Sequence, residues 1–241
     1  MHALPALPTA PADLAEAYAY PGEGVWLRAN MIASLDGAAW YADRSGALGS
    51  PGDRRLFQAL RGLADVVIVG AATVRVEGYG PVRPSTGWEV YRAGRTPVPP
   101  LAVVSRRLEL DLSAPIFTRA PRDARTILLT ARSAPPDRRA AAEEVAEVIV
   151  AGREEVEFPR VVEELAARGL RRLLCEGGPT VLARAAADGV LDELCLTLSP
   201  MLVAGDPARI LNGPSLPEPS RMRLASLYAE EDLLFLRYTG R

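Results

Sequence analysis

The chain contains no lysine: all 28 of its positive side chains are arginine. This removes Schiff-base chemistry, a lysine general base and a Walker-type phosphate loop, each of which needs the primary amine. Histidine is nearly absent. The single one, His2, stands at the terminus, so no Ser–His or Cys–His nucleophile system can be assembled from it. There are two cysteines, Cys175 and Cys195, both in apolar runs where they read as buried thiols. One histidine and two distant cysteines do not make a zinc site, and none is expected. So little cysteine suits a reducing compartment, and a cytoplasmic location is the expectation. Long hydrophobic runs are missing as well; no window is apolar for the length a bilayer span requires. A charge excess is also lacking: a net charge of -2 gives no electrostatic case for nucleic acid.

What remains is an ordinary globular composition, 49% hydrophobic and 24% charged over 241 residues, enough to bury a sizeable core. Residues 1–20, with Pro5, Pro8 and Pro11 beside Asp13 and Glu16, read as an irregular N-terminal arm. Residues 21–241 read as a single domain. Buried strands are predicted at Val25–Ala33, Asp65–Gly70, Leu101–Val104, Thr126–Thr130, Glu147–Ala151 and Leu191–Leu202, with two more near Met222–Tyr228 and Asp232–Tyr238. Helices are predicted between them. The clearest starts at Ser50-Pro51-Gly52-Asp53, with Ser as cap and Pro in the first turn, and buries Leu56, Phe57, Leu60 and Leu63. Residues 79–100 read as a long functional loop. Strands alternating with helices predict an α/β domain with a central, mostly parallel sheet, helices on both faces and an antiparallel C-terminal edge.

The most informative segment is Leu173-Leu174-Cys175-Glu176-Gly177-Gly178-Pro179-Thr180-Val181. It is a buried strand, a carboxylate at its tip, two glycines and a proline-started helix. Glycines admit close backbone approach, and the unpaired N–H groups of a helix start suit a phosphate. Taken alone, such a turn is also a common tight connection. Three other strand ends carry polar residues, however: Ser34 with Asp36, Thr73, and Ser105 with Arg106. In open α/β sheets ligands bind outside the carboxyl ends of strands. Arg106 is either a solvated end or a clamp for the ribose 2′-phosphate of NADPH. Thr73 either caps a helix or meets the cofactor diphosphate. Asp36 is either a turn former or a catalyst. Glu176, at the end of a buried strand, needs a partner. Arg61 either complements a helix dipole or contacts an anionic substrate.

These residues together resemble the riboflavin-biosynthesis pyrimidine reductases, the reductase half of the bacterial bifunctional deaminase-reductase. The likeness runs from about Val25 to Tyr238. It rests on Met31-Ile32-Ala33-Ser34-Leu35-Asp36-Gly37, on Leu60-Arg61 followed by Ala64 to Val74, on Val103-Val104-Ser105-Arg106, and on Cys175 to Thr180. The resemblance implies a dihydrofolate-reductase-like fold, NADPH as cofactor and a homodimer. It places Ala33, Thr73, Glu77, Ser105 and the Gly178–Arg184 turn, including Pro179, Thr180 and Val181, on the cofactor. It places Ser45, Arg61, Arg83 and Glu176 on the substrate, a 5-amino-6-(5-phosphoribosylamino)uracil. Asp36 or Glu176 is the expected proton relay. The sequence departs from the family at Ser45-Gly46-Ala47-Leu48-Gly49, at Gln58 and at Glu77. The zinc deaminase motifs are missing, so deamination is not expected of this chain. Two rival readings are a dihydrofolate or pterin reductase and a non-catalytic NADPH-binding module.

Overall fold

Apolar runs too short for helices build the interior of the sheet. The computed structural model describes residues 4–213, 215–216 and 218–240, so His2 lies outside the described residues. Its strands are β1 (Trp26–Ser34), β2 (Val66–Gly70), β3 (Leu101–Val104), β4 (Ile127–Thr130), β5 (Glu147–Val150), β6 (Arg172–Cys175), β7 (Glu193–Ser199), β8 (Arg223–Glu230) and β9 (Leu233–Thr239). They form one sheet in the order β5-β4-β3-β2-β6-β1-β7-β9-β8. Every pairing from β5 to β7 is parallel, and β9 pairs antiparallel with both β7 and β8. The expected mostly parallel sheet with an antiparallel C-terminal edge is therefore present. Each residue of β2 and of β4 is buried, as strands covered on both faces must be.

The helices are α1 (Pro11–Ala17), α2 (Pro51–Leu63), α3 (Ala71–Glu77), α4 (Trp88–Tyr91), α5 (Pro115–Thr118), α6 (Pro136–Val145), α7 (Phe158–Ala167) and α8 (Pro179–Ala187). The α2 start is the one its sequence predicts: Ser50 Oγ accepts the Asp53 N–H at 3.2 Å, with Pro51 in the first turn. Alternation along β2 divides the core. Val67 and Val69 join Leu56, Leu60 and Leu63 of α2 on one face. Val66 and Ile68 join Val161 and Leu165 of α7 and Leu182 of α8 on the other.

Three expectations need correction. The described part of the segment read as an irregular arm, residues 4–20, is ordered onto the domain. Pro11 opens α1, Leu14 and Tyr18 bury one turn apart, and Leu7 and Pro5 bond the backbone of Ala229 in β8. The proline-rich composition hid an i, i+4 apolar pair. The long strand read at Leu191–Leu202 ends at Ser199 and lies between β1 and β9, with Cys195 buried on one face and Leu194, Leu196 and Leu198 half-buried on the other. The 79–100 loop is partly ordered by α4. From its end, Arg92 and Arg95 donate to the carbonyls of Gly62 and Ala64 that finish α2.

Buried charge ties β1 to β7 and β9. The fully buried Arg28 pairs with Glu193 at 2.7 Å, and Arg237 reaches the same carboxylate at 2.7 Å. Burial pushes the Glu193 pKa up, but the charges and hydrogen bonds of both arginines prevail and hold it low. Cys175 and Cys195 are buried as expected, and desolvation pushes each thiol up to about 12.

Candidate active site

β6 stops at Cys175, level with Ala29, while its neighbour β1 continues to Ser34. A cavity of about 500 Å³ opens beside Asn30, Met31 and Ile32 of the β1 extension, next to Glu176. The opposite wall comes from α2. Asp53, Phe57 and Arg61 stand one turn apart, with Arg54 and Gln58 alongside, so one helical stripe faces the cavity. Thr73 and Glu77 of α3, Ser45, and the segment Gly78–Pro81 with Arg83 complete the lining.

Glu176 has found an internal partner. Its carboxylate accepts from Arg61 Nε at 2.6 Å and Arg61 Nη2 at 2.7 Å, a bidentate pair, and from the Tyr79 hydroxyl at 2.7 Å. The Arg61 guanidinium also lies 4.1 Å from the centre of the Phe57 ring. Burial acts to lower the Arg61 pKa, but the Glu176 charge and hydrogen bonds raise it overall. Burial and the same carboxylate push the Tyr79 hydroxyl well up. Arg61 and Glu176, both expected on the substrate, thus meet each other first. Both Glu176 oxygens are taken as acceptors, which makes it an anchor for Arg61 more than a proton relay. Ser45 and Glu77 are also brought together: Glu77 Oε1 accepts the Ser45 N–H and O–H, each at 2.9 Å.

The glycine turn lies at the inner end. Gly177 has φ +84°, a region that disfavours side chains, and the Gly177–Gly178 peptide is cis. A Cβ on Gly178 would sit 2.5 Å from Thr73 Oγ1, so only glycine lets these two elements approach so closely. α8 begins at Pro179 with no side-chain cap, which leaves the first-turn N–H groups of Thr180 and Val181 without helical partners. Beyond β3, Ser105 is buried and Arg106 is 40% exposed, paired with Glu155 at 3.5 Å. Ala33 is buried on β1, and Arg83 is exposed at the rim.

Asp36 does not line the cavity. Its exposed carboxylate accepts from the Ser34 hydroxyl and from the N–H groups of Val203 and Ala204, and these bonds hold its pKa down at about 2. It ties the loop after β7 to the tip of β1. Asp53, by contrast, lines the cavity, and burial raises its pKa. The Thr197 hydroxyl and Arg54 act in the other direction and are outweighed; Thr197 Oγ1 is otherwise buried and unpartnered. Sequence reasoning missed Asp53 as a site residue because an acid in a first helical turn is already explained by the helix dipole. The signal was its spacing from Phe57 and Arg61. Asn30 and Tyr79 were missed too, and only the tertiary fold places them here.

Residues 25–233 match the family described as the RibD C-terminal domain. The chain belongs to that family. Among curated relatives, the 2,5-diamino-6-ribosylamino-4(3H)-pyrimidinone 5′-phosphate reductase of Archaeoglobus fulgidus is 31% identical over 77% of this chain and 85% of its own length. The reductase of the same name from Methanothermobacter thermautotrophicus is 30% identical over 87% of this chain and 95% of its own. A pyrimidine reductase-like protein from Corynebacterium diphtheriae superposes with a TM-score of 0.83 at 31% identity, covering 94% of this chain and 97% of that one. The Saccharomyces cerevisiae riboflavin biosynthesis reductase Rib7 shares the fold at 15% identity and a TM-score of 0.67, over 93% and 94%. No helix of this RibD C-terminal domain, among the described residues, is long and apolar enough to cross a membrane.

Proposed function

We propose that this chain is an NADPH-dependent reductase of a phosphoribosylaminopyrimidine, 5-amino-6-(5-phosphoribosylamino)uracil in the first instance. As a member of a reductase family it is an oxidoreductase, in line with its named relatives. One observation carries the reading. A cavity lined by Asp53, Arg61 and Glu176 shares Thr73 with the uncapped Gly178–Thr180 helix start, an arrangement that would take a dinucleotide and a second small molecule side by side.

The residues present suit the cofactor. The Thr180 and Val181 N–H groups, with Gly177, Gly178, Pro179 and Thr73, would hold the diphosphate. Ala33 and Glu77 would border the nicotinamide, and Ser105 and Arg106 the ribose phosphate. The chemistry the cofactor supplies is one hydride, delivered to C1′ of the opened ribosylamine. Arg54 and Arg83, exposed at the rim, would take the substrate phosphate. Phe57, Ile32 and Ala39, which line the cavity, would shield the reacting carbon from water. Asp53, whose pKa is raised by burial, would give its proton to the departing sugar-ring oxygen. This replaces Asp36, whose carboxylate is committed elsewhere, and Glu176, whose oxygens hold Arg61.

The test supplies NADPH with this uracil, with the 2-amino-pyrimidinone of the archaeal relatives, and with dihydrofolate, following loss of the reduced cofactor's absorbance. Turnover of either pyrimidine supports the proposal; turnover of dihydrofolate alone refutes it. A carboxylate pairs with a 2-amino-pyrimidine edge, so Asp53 suits a 2-amino-pyrimidinone and a pterin alike, and the turnover comparison separates them. We also take the enzyme to act as a cytoplasmic homodimer, in keeping with its two buried free thiols and with the exposed Leu224 on edge strand β8. Sedimentation at micromolar concentration checks the dimer.

A further inference from the structure

Glu155 stands between two arginines, one following β3 and one on α8, the two elements assigned to the cofactor in the proposed function. Its Oε1 is 3.5 Å from Arg106 Nε and its Oε2 is 3.7 Å from Arg184 Nη2. The three residues come from separate elements. Arg106 follows β3, Glu155 lies in the turn between β5 and α7, and Arg184 sits in the second turn of α8, the helix that begins at Gly178 and Pro179. The turn carrying Glu155 is held by its backbone. Arg132 N–H donates to Gly152 O at 3.0 Å, Ser133 N–H to Arg153 O at 2.9 Å, and Ser133 Oγ to Glu154 O at 3.0 Å. Gly152 has φ +142°, and a Cβ there would sit 2.0 Å from Glu155 O. The Glu155 backbone is therefore fixed, while its side chain, 50% exposed, is free to swing.

We infer that Glu155 is an internal counter-ion occupying the place of the ribose 2′-phosphate, and that it sets the discrimination between NADPH and NADH. This rests on the proposed use of NADPH. Two guanidinium groups around one carboxylate leave a single net positive charge. A 2′-phosphate brings nearly two negative charges and three acceptor oxygens, enough to engage both arginines. It cannot share them with a carboxylate at the same spot, because the like charges repel. Glu155 must turn out toward solvent, and the exposed ion pairs it gives up are weak. NADH, with a 2′-hydroxyl, makes no such demand. Glu155 stays in place beside it and accepts from that hydroxyl. The carboxylate thus opposes NADPH and tolerates NADH, and the preference for NADPH is smaller than the two arginines alone would give.

The experiment measures Kd for NADPH and for NADH by titration calorimetry on the full chain: wild type, Glu155→Gln, Glu155→Ala, and Arg106→Ala with and without Glu155→Gln. Both Glu155 variants change only a half-exposed side chain, the Gln variant removing its charge alone, and are expected to fold as the wild type does. Each is expected to tighten NADPH binding about fivefold, the upper range for an exposed charge contact, with NADH unchanged or slightly weaker. In the Arg106→Ala background the Glu155 effect is expected to shrink. Wild-type binding of NADPH with no change in the NADPH-to-NADH ratio in either Glu155 variant overturns the inference alone. Failure of the wild type to bind NADPH overturns the cofactor reading, and the inference falls with it.

Discussion

Replacing Glu176 by glutamine tests the centre of the site. The substitution keeps the size of the side chain and removes its charge. In the native protein the carboxylate receives two contacts from Arg61, at 2.6 and 2.7 Å, and a third from Tyr79 at 2.7 Å. The Glu176 and Arg61 side chains are only 2% and 14% exposed, so solvent screens them little. Unit charges about 4 Å apart attract by about 4 kcal/mol at an effective dielectric of 20. Part of that offsets their desolvation. The variant leaves the Arg61 charge buried with no such offset, and removing one partner of a buried pair costs about 3–5 kcal/mol. For a domain of this size each kcal/mol moves Tm by about 2–4 °C, so Glu176→Gln should melt roughly 10 °C below the wild type. The assay is thermal unfolding by circular dichroism, run with Arg61→Leu and the double variant to complete a cycle. The double variant should cost less than the sum of the singles by about 1–3 kcal/mol. A Tm within about 2 °C of wild type, under 1 kcal/mol, or additivity across the cycle would refute the pairing.

Asp53→Asn should cut turnover sharply and flatten the limb of the pH–rate profile on which activity falls as Asp53 ionises; an unchanged profile would remove Asp53 as proton donor. Its sign in stability is separate. The folded pKa is raised by burial, so the stabilisation is full below the unfolded value and is lost as pH rises through the folded one. Asp53→Asn should therefore resist urea better than wild type at neutral pH, and a lower midpoint would contradict this. Arg106→Ala should weaken NADPH about tenfold or more, the loss of a charge-assisted contact, with NADH much less affected; equal losses would deny Arg106 the 2′-phosphate. Glu193→Gln should cost about 3–5 kcal/mol in urea unfolding, because it strands Arg28. Since the folded Glu193 pKa is depressed, that stabilisation holds above the ordinary carboxylate range and fades as pH falls through the folded value, so the gap between variant and wild type should close in acid. Asp36→Asn should speed hydrogen exchange at Val203 and Ala204 without abolishing turnover; lost turnover with unchanged exchange would restore Asp36 as a catalyst.

Local chemistry was legible where the chain states it within a few residues. Ser50 and Pro51 announce α2, the apolar runs announce β2 to β4, and Glu176-Gly177-Gly178-Pro179 announces a strand, a turn and a helix start. Long-range pairing was not. Glu176 reads as a carboxylate in need of a ligand because its partner, Arg61, is 115 residues away. Asp36 reads as a possible catalyst because the amides that hold it, at Val203 and Ala204, follow β7. Asp53 has a sufficient local explanation, and its second role depends on how α2 lies against the tip of β1. The α1 region was misread because proline frequency outweighed the spacing of Leu14 and Tyr18. The edge pair β8–β9 was readable because both strands are near the C-terminus and join through a two-residue turn.

The cofactor's position decides most. A crystal structure of the chain with NADP⁺ should place the diphosphate on the Thr180 and Val181 N–H groups beside Thr73, with the nicotinamide directed toward Met31 and Glu176 at the cavity. Electron density for the dinucleotide away from the Gly177–Thr180 turn, or with its nicotinamide pointing out of the cavity, would contradict the proposed reductase site.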